Sequence, residues 1–505
     1  MDATNWRRRD FLRSAAALGL GAGLGPVAAL RAITPASGAA MAVGPEAVRF
    51  RPEIEPVVRW IEETPRDRIL DEAVDRLAAG LSYRELLAGL FLAGIRNVKP
   101  RPVGFKFHAV LVINSAHLLG QTAAVDERLL PLFWALDNFK GSQARDEQEG
   151  DWTLSAVADA NLPAPDRAQS RLVEAFEAWD ADAADSATAA LCRSAGAARS
   201  MEPFWACAVR DWRNIGHKPI FAMQCWRTLQ AVGWPNAEPV LRSLAFGLLD
   251  PQGDRDPKPV GPYAGNLELA GRIGPDWTRG QLDAGASRAL LATLRQADPN
   301  AASAEVARML GDGVAPGSLW DGILLGASEL LVRQPGIIAL HAVTAANALH
   351  FISGNAADET TRKLALLQAA GWLPLYRNRL ESAGPLAIDE LEPVEPAGNH
   401  SEAVATVFEA IGQDRRKAAA MALGVVRNGG SDELFAAARR MIFHKGNDSH
   451  DYKYGAAAWE EFTLASDPAT AAPLAAAMTA HLPAASDRDS PLMERAREAV
   501  ARLDA

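Results

Sequence analysis

The sequence predicts an all-α protein: stacked helical hairpins forming a helical array around a buried, histidine-rich metal site. Apolar residues recur at three- and four-residue spacing from Arg68 onward, while few stretches show the strict alternation that strands require. Histidines placed inside apolar helical runs predict the site, because a buried imidazole needs a hydrogen-bond partner or a metal. At 505 residues, 49% hydrophobic and 23% charged, the chain can bury a sizeable core and carries no polar low-complexity tract. A formal charge of -10 and no basic stripe argue against nucleic acid as a partner.

Taken in order, the chain opens with Arg8-Arg9-Asp10-Phe11-Leu12-Arg13, followed by a weakly hydrophobic Ala/Gly/Leu run to Leu30. This pattern resembles a twin-arginine (Tat) export signal, and Ala40-Met41-Ala42 offers a small-x-small cleavage site. The expectation is a signal over 1–42, a linker over 43–67 and a helical domain over 68–505, delivered to the periplasm or secreted. The Tat machinery would then be a partner, and because it carries folded proteins it raises the expectation of a bound cofactor. No later run of about 18 apolar residues predicts a transmembrane segment in the mature chain. Three cysteines, Cys192, Cys207 and Cys225, are too few for a disulfide framework and form no CxxC pair, so they read as buried thiols.

The helical part starts with Ile69, Ala73 and Leu77 on one face, then Ser82 and Glu85 as a capping box before Leu86, Leu87, Leu90 and Phe91. A third helix follows the loop KPRPVGFKF and carries HAVLVINSAHLLG. Two similar phrases, LQAVGW at 229–234 and LQAAGW at 367–372, each read as a helix end before a Pro-containing turn. Loop-rich intervals fall at 250–280, a candidate sub-domain break, and at 391–399.

Residues nine apart on a helix are rotated by roughly 180°, so His108 and His117 face opposite ways, as do His341 and His350. Only one of each pair is expected in a shared site. His217 opens another helix, and His444 and His450 flank the helix start Asn447-Asp448-Ser449. His450 and Lys453, three apart, share a face. Spacing alone reads Lys453 as a solvated lysine pairing with Asp451 or Glu460; a metal would require the free amine or its carbamate. His400 reads as part of a helix start capped by Asn399 with Glu402.

The order of HAVLVIN at His108, GHKPIFAMQCW at His217, LHAVTAANALHF at His341 and DSHDYKY at His450 resembles the questin oxidase-like family of oxygenases. The resemblance runs from His108 to Lys453. It implies a helical fold around one non-haem Fe(II), with His108, His217, His341 and His450 as metal ligands and Lys453 as a further, carboxylated ligand. It also implies an oxygenase or oxidase that uses O2 on a small organic substrate, in keeping with an aromatic one. Thr344 and Asn347 beyond His341, and Tyr452 and Tyr454 flanking Lys453, are candidates for catalytic or structural hydrogen bonding. Trp205, Trp212, Trp226, Trp234 and Trp372 either line an aromatic pocket or fill helix interfaces. Two other readings stand beside this one: a metal-free helical scaffold, and a zinc-dependent hydrolase on the same ligands. No GxSxG elbow, HExxH helix or Walker loop supports a mainstream hydrolase or nucleotide reading.

Overall fold

The computed structural model describes residues 47–251, 253–381 and 386–502. The expected export signal and cleavage site, residues 1–42, lie outside them. Helices account for every regular element among the described residues; the only β pairing there is two isolated bridges, Ala47 with Ser155 and Gln281 with Val314. The all-α class follows from the apolar spacing, and one apolar cluster runs from Val48 to Ala499, drawing on residues either side of 250–280.

The centre of the array is the helix Ile337–Asn355. It is apolar on all sides, and it packs against Pro316–Arg333, Glu359–Arg377, His217–Val232 and Ser449–Leu464. By length and composition it could also cross a bilayer, a feature the search for long apolar runs did not register, but 72% of that window is buried inside the protein. Such a helix has to be covered all round, which is why four others surround it and why polar groups on it must find partners inside the fold.

Local signals set several helix starts. The Ser82–Glu85 and Asn399–Glu402 capping boxes are both formed, and Asp448 caps Ser449–Leu464 with Asp451 closing the box. Other expectations change. The interval read as a linker contains the helix Glu55–Glu63, whose Val58, Trp60 and Ile61 are buried, because its apolar residues also recur at helical spacing. The 250–280 interval contains the helix Tyr263–Arg272, tied to the Glu359–Arg377 helix by Asn266 Nδ2 donating to Gln368 Oε1 at 2.9 Å. LQAVGW does end a helix, with Gly233 at φ +104. LQAAGW does not: its helix continues through Pro374 to Arg377. Gly371 there serves close packing instead, since a Cβ would fall 2.5 Å from both Pro262 and Ser303. The third helix is divided in two at Val112, into His108–Leu111 and Ile113–Gln121.

The tryptophans fill interfaces. Trp205 meets Trp226 at 6.0 Å and Trp226 meets Trp234 at 5.9 Å between ring centroids, while Trp212 packs edge-on to Tyr376 and beneath Arg379. Cys207 and Cys225 are buried free thiols, and Cys192 is half-buried. Burial pushes all three thiol pKa values up, which suits inert packing groups.

Candidate metal centre

Each histidine of the site sits near the N-terminal end of its helix. His108 and His217 are first residues, His341 is the fifth residue of Ile337–Asn355, and His450 is the second of Ser449–Leu464. Two of these starts are reached through unusual backbone. Gly104 (φ +114) and Phe105 (φ +48) precede His108; Asn214 (φ +59), Ile215 (φ +49) and Gly216 (φ +78) precede His217. A β-branched residue at positive φ costs energy, of order 1–3 kcal/mol, and such strain concentrates at functional sites. The surroundings hold it: Tyr376 Oη donates to the Ile215 carbonyl at 3.0 Å, and Asn214 Nδ2 donates to the Val103 carbonyl, joining the two strained loops.

These turns fix the imidazoles. His108 Nδ1 lies 3.0 Å from the Phe105 carbonyl oxygen, His217 Nδ1 2.7 Å from that of Asn214, and His341 Nδ1 2.7 Å from that of Ile337. His450 Nδ1 lies 2.5 Å from Asp448 Oδ1. All four Nδ1 atoms therefore face oxygen acceptors and carry the ring proton, which leaves each Nε2 as a bare lone pair. Those of His108, His217 and His341 converge, lying within 4.8 Å of one another. His217 Nε2 is 3.2 Å from that of His108 and 3.0 Å from that of His341. With no proton between them these contacts are lone pair against lone pair, and only a cation makes them attractive.

Protonation does not relieve the cluster. Burial, reinforced by the neighbouring Lys453, holds His108 well below the usual imidazole pKa and lowers His217 to about 3. His341 is likewise held well below by burial and its neighbours His217 and Lys453, and His450 is lowered by burial against the opposing pull of Asp448. Neutral imidazoles whose Nδ1–H donates to an oxygen are the state in which histidine binds metals through Nε2.

His450 and Lys453 lie beside His108, His217 and His341. The His450 ring lies 4.5 Å from His108 and 5.2 Å from His341 between centroids, and its Nε2 is buried with no hydrogen-bond partner. Lys453 corrects the solvated reading: it is 3% exposed, its Nζ has no partner, and burial lowers its pKa to about 7. It pairs with neither Asp451 nor Glu460, because Asp451 closes the helix cap and Glu460 is held by Arg227 and Asn347. Burial at the helix start on the His450 face leaves it no route to solvent.

The remaining candidates point elsewhere. Asn347 Nδ2 donates to Glu460 and Glu461, both at 2.8 Å, and Thr344 Oγ1 to the Leu340 carbonyl. Tyr452 stacks on Trp134 at 4.4 Å, its buried hydroxyl without a partner, while Tyr454 donates to the Ala477 carbonyl. His117 meets Tyr83, His350 meets Glu461, His400 Nε2 faces the Asn428 carbonyl and His444 meets Glu127, so none of these four joins the cluster. His481, which the reading of the sequence passed over, lies 3.3 Å from Asp451. Asp448 was legible only as a cap; its second use, holding His450, needed the fold. Gly104 was missed as well: a Cβ there would lie 2.9 Å from His217 Nε2 and 3.4 Å from His108 Cε1. Its only signal was its place in the loop before His108.

No protein-family model, curated protein or solved structure matches the chain, so the site stands on its own geometry. That geometry is a buried histidine cluster able to chelate a metal ion inside an all-α fold.

Proposed function

We propose that the chain is an exported oxidase or oxygenase of the questin oxidase-like kind, holding one non-haem ferrous ion and acting with O2 on a small organic, aromatic substrate. The observation that carries this reading is the set of converging Nε2 lone pairs, with His450 Nε2 and Lys453 Nζ buried beside them and unpartnered. His108, His217, His341 and His450 would hold the ion, with Lys453 as a further ligand, carboxylated on Nζ. A buried amine with its pKa lowered to about 7 is about half unprotonated at neutral pH, and the free amine is the form that takes up CO2.

The 3.0 Å contact matches nitrogens bonded at right angles to one ion, about 3.0 Å apart for bonds of about 2.1 Å. The 3.2 Å contact lies midway to the tetrahedral separation of about 3.4 Å, so the spacing fits iron and zinc alike. A metal-free scaffold is disfavoured because each buried, unpartnered polar atom costs roughly 1–3 kcal/mol. A ferrous ion on such ligands supplies binding and activation of O2 toward an electron-rich substrate. The protein's own part is to hold the four rings by their Nδ1 acceptors, keep them neutral through burial, and exclude water with the surrounding apolar helices. The Arg8-Arg9 motif supports export through the Tat machinery to the periplasm or beyond.

Metal analysis of the purified protein tests the reading. We expect one iron per chain, lost in His450→Ala. Stoichiometric zinc would instead favour hydrolysis, and a metal-free protein whose stability is indifferent to His450→Ala would leave the scaffold.

A further inference from the structure

The loop between Arg101 and Phe107 is anchored on both sides. Val103 is held through Asn214, Lys106 Nζ lies 2.6 Å from Asp146 and 2.9 Å from Glu149, and Phe107 is buried against Phe221 at 4.7 Å. Between these anchors Gly104 and Phe105 are fixed in left-handed backbone, and Phe105 is 64% exposed. His108, the next histidine along, is only partly buried, whereas His217 and His341 are buried. His450 is partly buried as well, so the approach from solvent to the cluster is past the His108 and His450 rings, the first of which follows this loop.

Gly104 lies at the inner end of that approach. A Cβ at Gly104 would fall 2.9 Å from His217 Nε2, 3.1 Å from His217 Cε1 and 3.4 Å from His108 Cε1, the first closer than a side chain packs. Only glycine therefore lets the backbone approach the metal-facing edges of these two rings without filling the space before them. We infer that Gly104 keeps open the position through which a small exogenous ligand reaches the metal, with the Gly104–Phe105 segment as a fixed mouth. The inference rests on the metal-centre reading above. The positive φ alone would demand glycine, but it would not place the absent Cβ against the ring edges that bear the ligand atoms.

The test uses the cobalt(II)-substituted full chain with azide as the probe, followed by visible absorption. We expect Gly104→Ala to keep one cobalt per chain while azide affinity falls by at least about tenfold, the lower end of what one methylene's volume changes in a fitted pocket. Gly80→Ala is the control, since Gly80 has a comparable φ of +104 and nothing within 4 Å of its Cβ. It should show the same backbone cost in thermal stability and unchanged azide affinity. Unchanged azide binding in Gly104→Ala overturns the inference, and so does loss of cobalt from a folded Gly104→Ala, which would put the methyl in the metal's own place. Should Gly104→Ala not fold, Phe105→Cys modified with a bulky maleimide must slow azide binding severalfold relative to the unmodified variant; an unchanged rate overturns the inference. If the wild-type chain takes up no cobalt, the metal-centre reading falls and this inference with it, whereas cobalt bound with azide-insensitive Gly104 variants sinks the inference alone.

Discussion

Two polar clusters lie on the same three helices, and they differ in one respect. Toward the helix starts, His217, His341, His450 and Lys453 gather with ring nitrogens and an amine that no protein atom satisfies. Further along those helices, Arg227, Asn347, His350, Glu460 and Glu461 also meet in the interior, yet every group is matched. Arg227 pairs with Glu460, Asn347 bridges Glu460 and Glu461, and His350 Nδ1 lies 2.8 Å from Glu461 while stacking on Trp320. The second cluster is electrically closed: burial would raise the Glu460 pKa, but Arg227 and Asn347 hold it below the usual range. The first is open and asks for a cation. Burial of histidine is thus no mark of a metal site, nor is a single atom without a hydrogen bond such as His481 Nε2; several ring nitrogens converging on one point are.

Breaking the open cluster should have the largest effect. His341→Ala removes a ligand that is fully buried at the centre of the group, and metal affinity should fall by more than the roughly 10–100-fold that loss of an outer partner costs. Metal titration followed by dialysis checks this, and a folded variant that retains its metal refutes it. Breaking the closed cluster should act on stability instead. Glu460→Ala leaves the Arg227 guanidinium buried without its partner, at a cost of about 3–5 kcal/mol in denaturant unfolding, with metal content per folded chain unchanged. If metal is lost there too, the two clusters are one cooperative unit and the comparison fails.

Much of this contrast was legible before the fold was known, and the reason is periodicity. The nine-residue separations correctly put His117 and His350 away from His108 and His341: one helix fixes the relation of the second pair, and the backbone stays right-handed helical across the Val112 junction and preserves it for the first. The i, i+3 spacing likewise placed His450 and Lys453 on one face. What spacing could not say was which face is covered: Lys453 read as solvated because its burial depends on helices distant in sequence. Asn347 stood between catalytic and structural hydrogen bonding for the same reason, since its partners Glu460 and Glu461 lie more than a hundred residues away. Gly371 misled because a glycine that permits close packing looks, in sequence, like one that ends a helix.

Lys453 sharpens the comparison through pH. In the metal-free protein its amine titrates at about 7, against about 10.4 in an unfolded chain. Between those values the unfolded chain holds the additional proton, so stability should rise with pH across the window and be least where the buried amine is charged, below about pH 7. Lys453→Met should stabilise the metal-free fold by about 1–3 kcal/mol near pH 7, an advantage that shrinks toward about pH 10. Lys140, which burial lowers to about 8, contributes equally to both proteins and cancels in the difference. A pH-independent difference in unfolding free energy would mean that Lys453 reaches solvent.

Asp448 offers the smallest and most selective change, because it serves two structures at once. Its carboxylate accepts the His450 backbone N–H at 2.8 Å as the helix cap and faces His450 Nδ1 at 2.5 Å, and that contact holds its own pKa down to about 2. Asparagine caps helices as well as aspartate does, so Asp448→Asn should leave the helix and thermal stability nearly unchanged. It does remove the negative charge behind His450, which lowers the basicity of Nε2 and loosens the ring's orientation. Metal affinity should therefore fall toward the tenfold end of the roughly 10–100-fold range for outer partners. Asp448→Ala should lose that affinity and also about 1 kcal/mol of stability from the missing cap. Equal metal affinity in wild type and Asp448→Asn, by competition against a chelator, would show that His450 is not held for a metal at all.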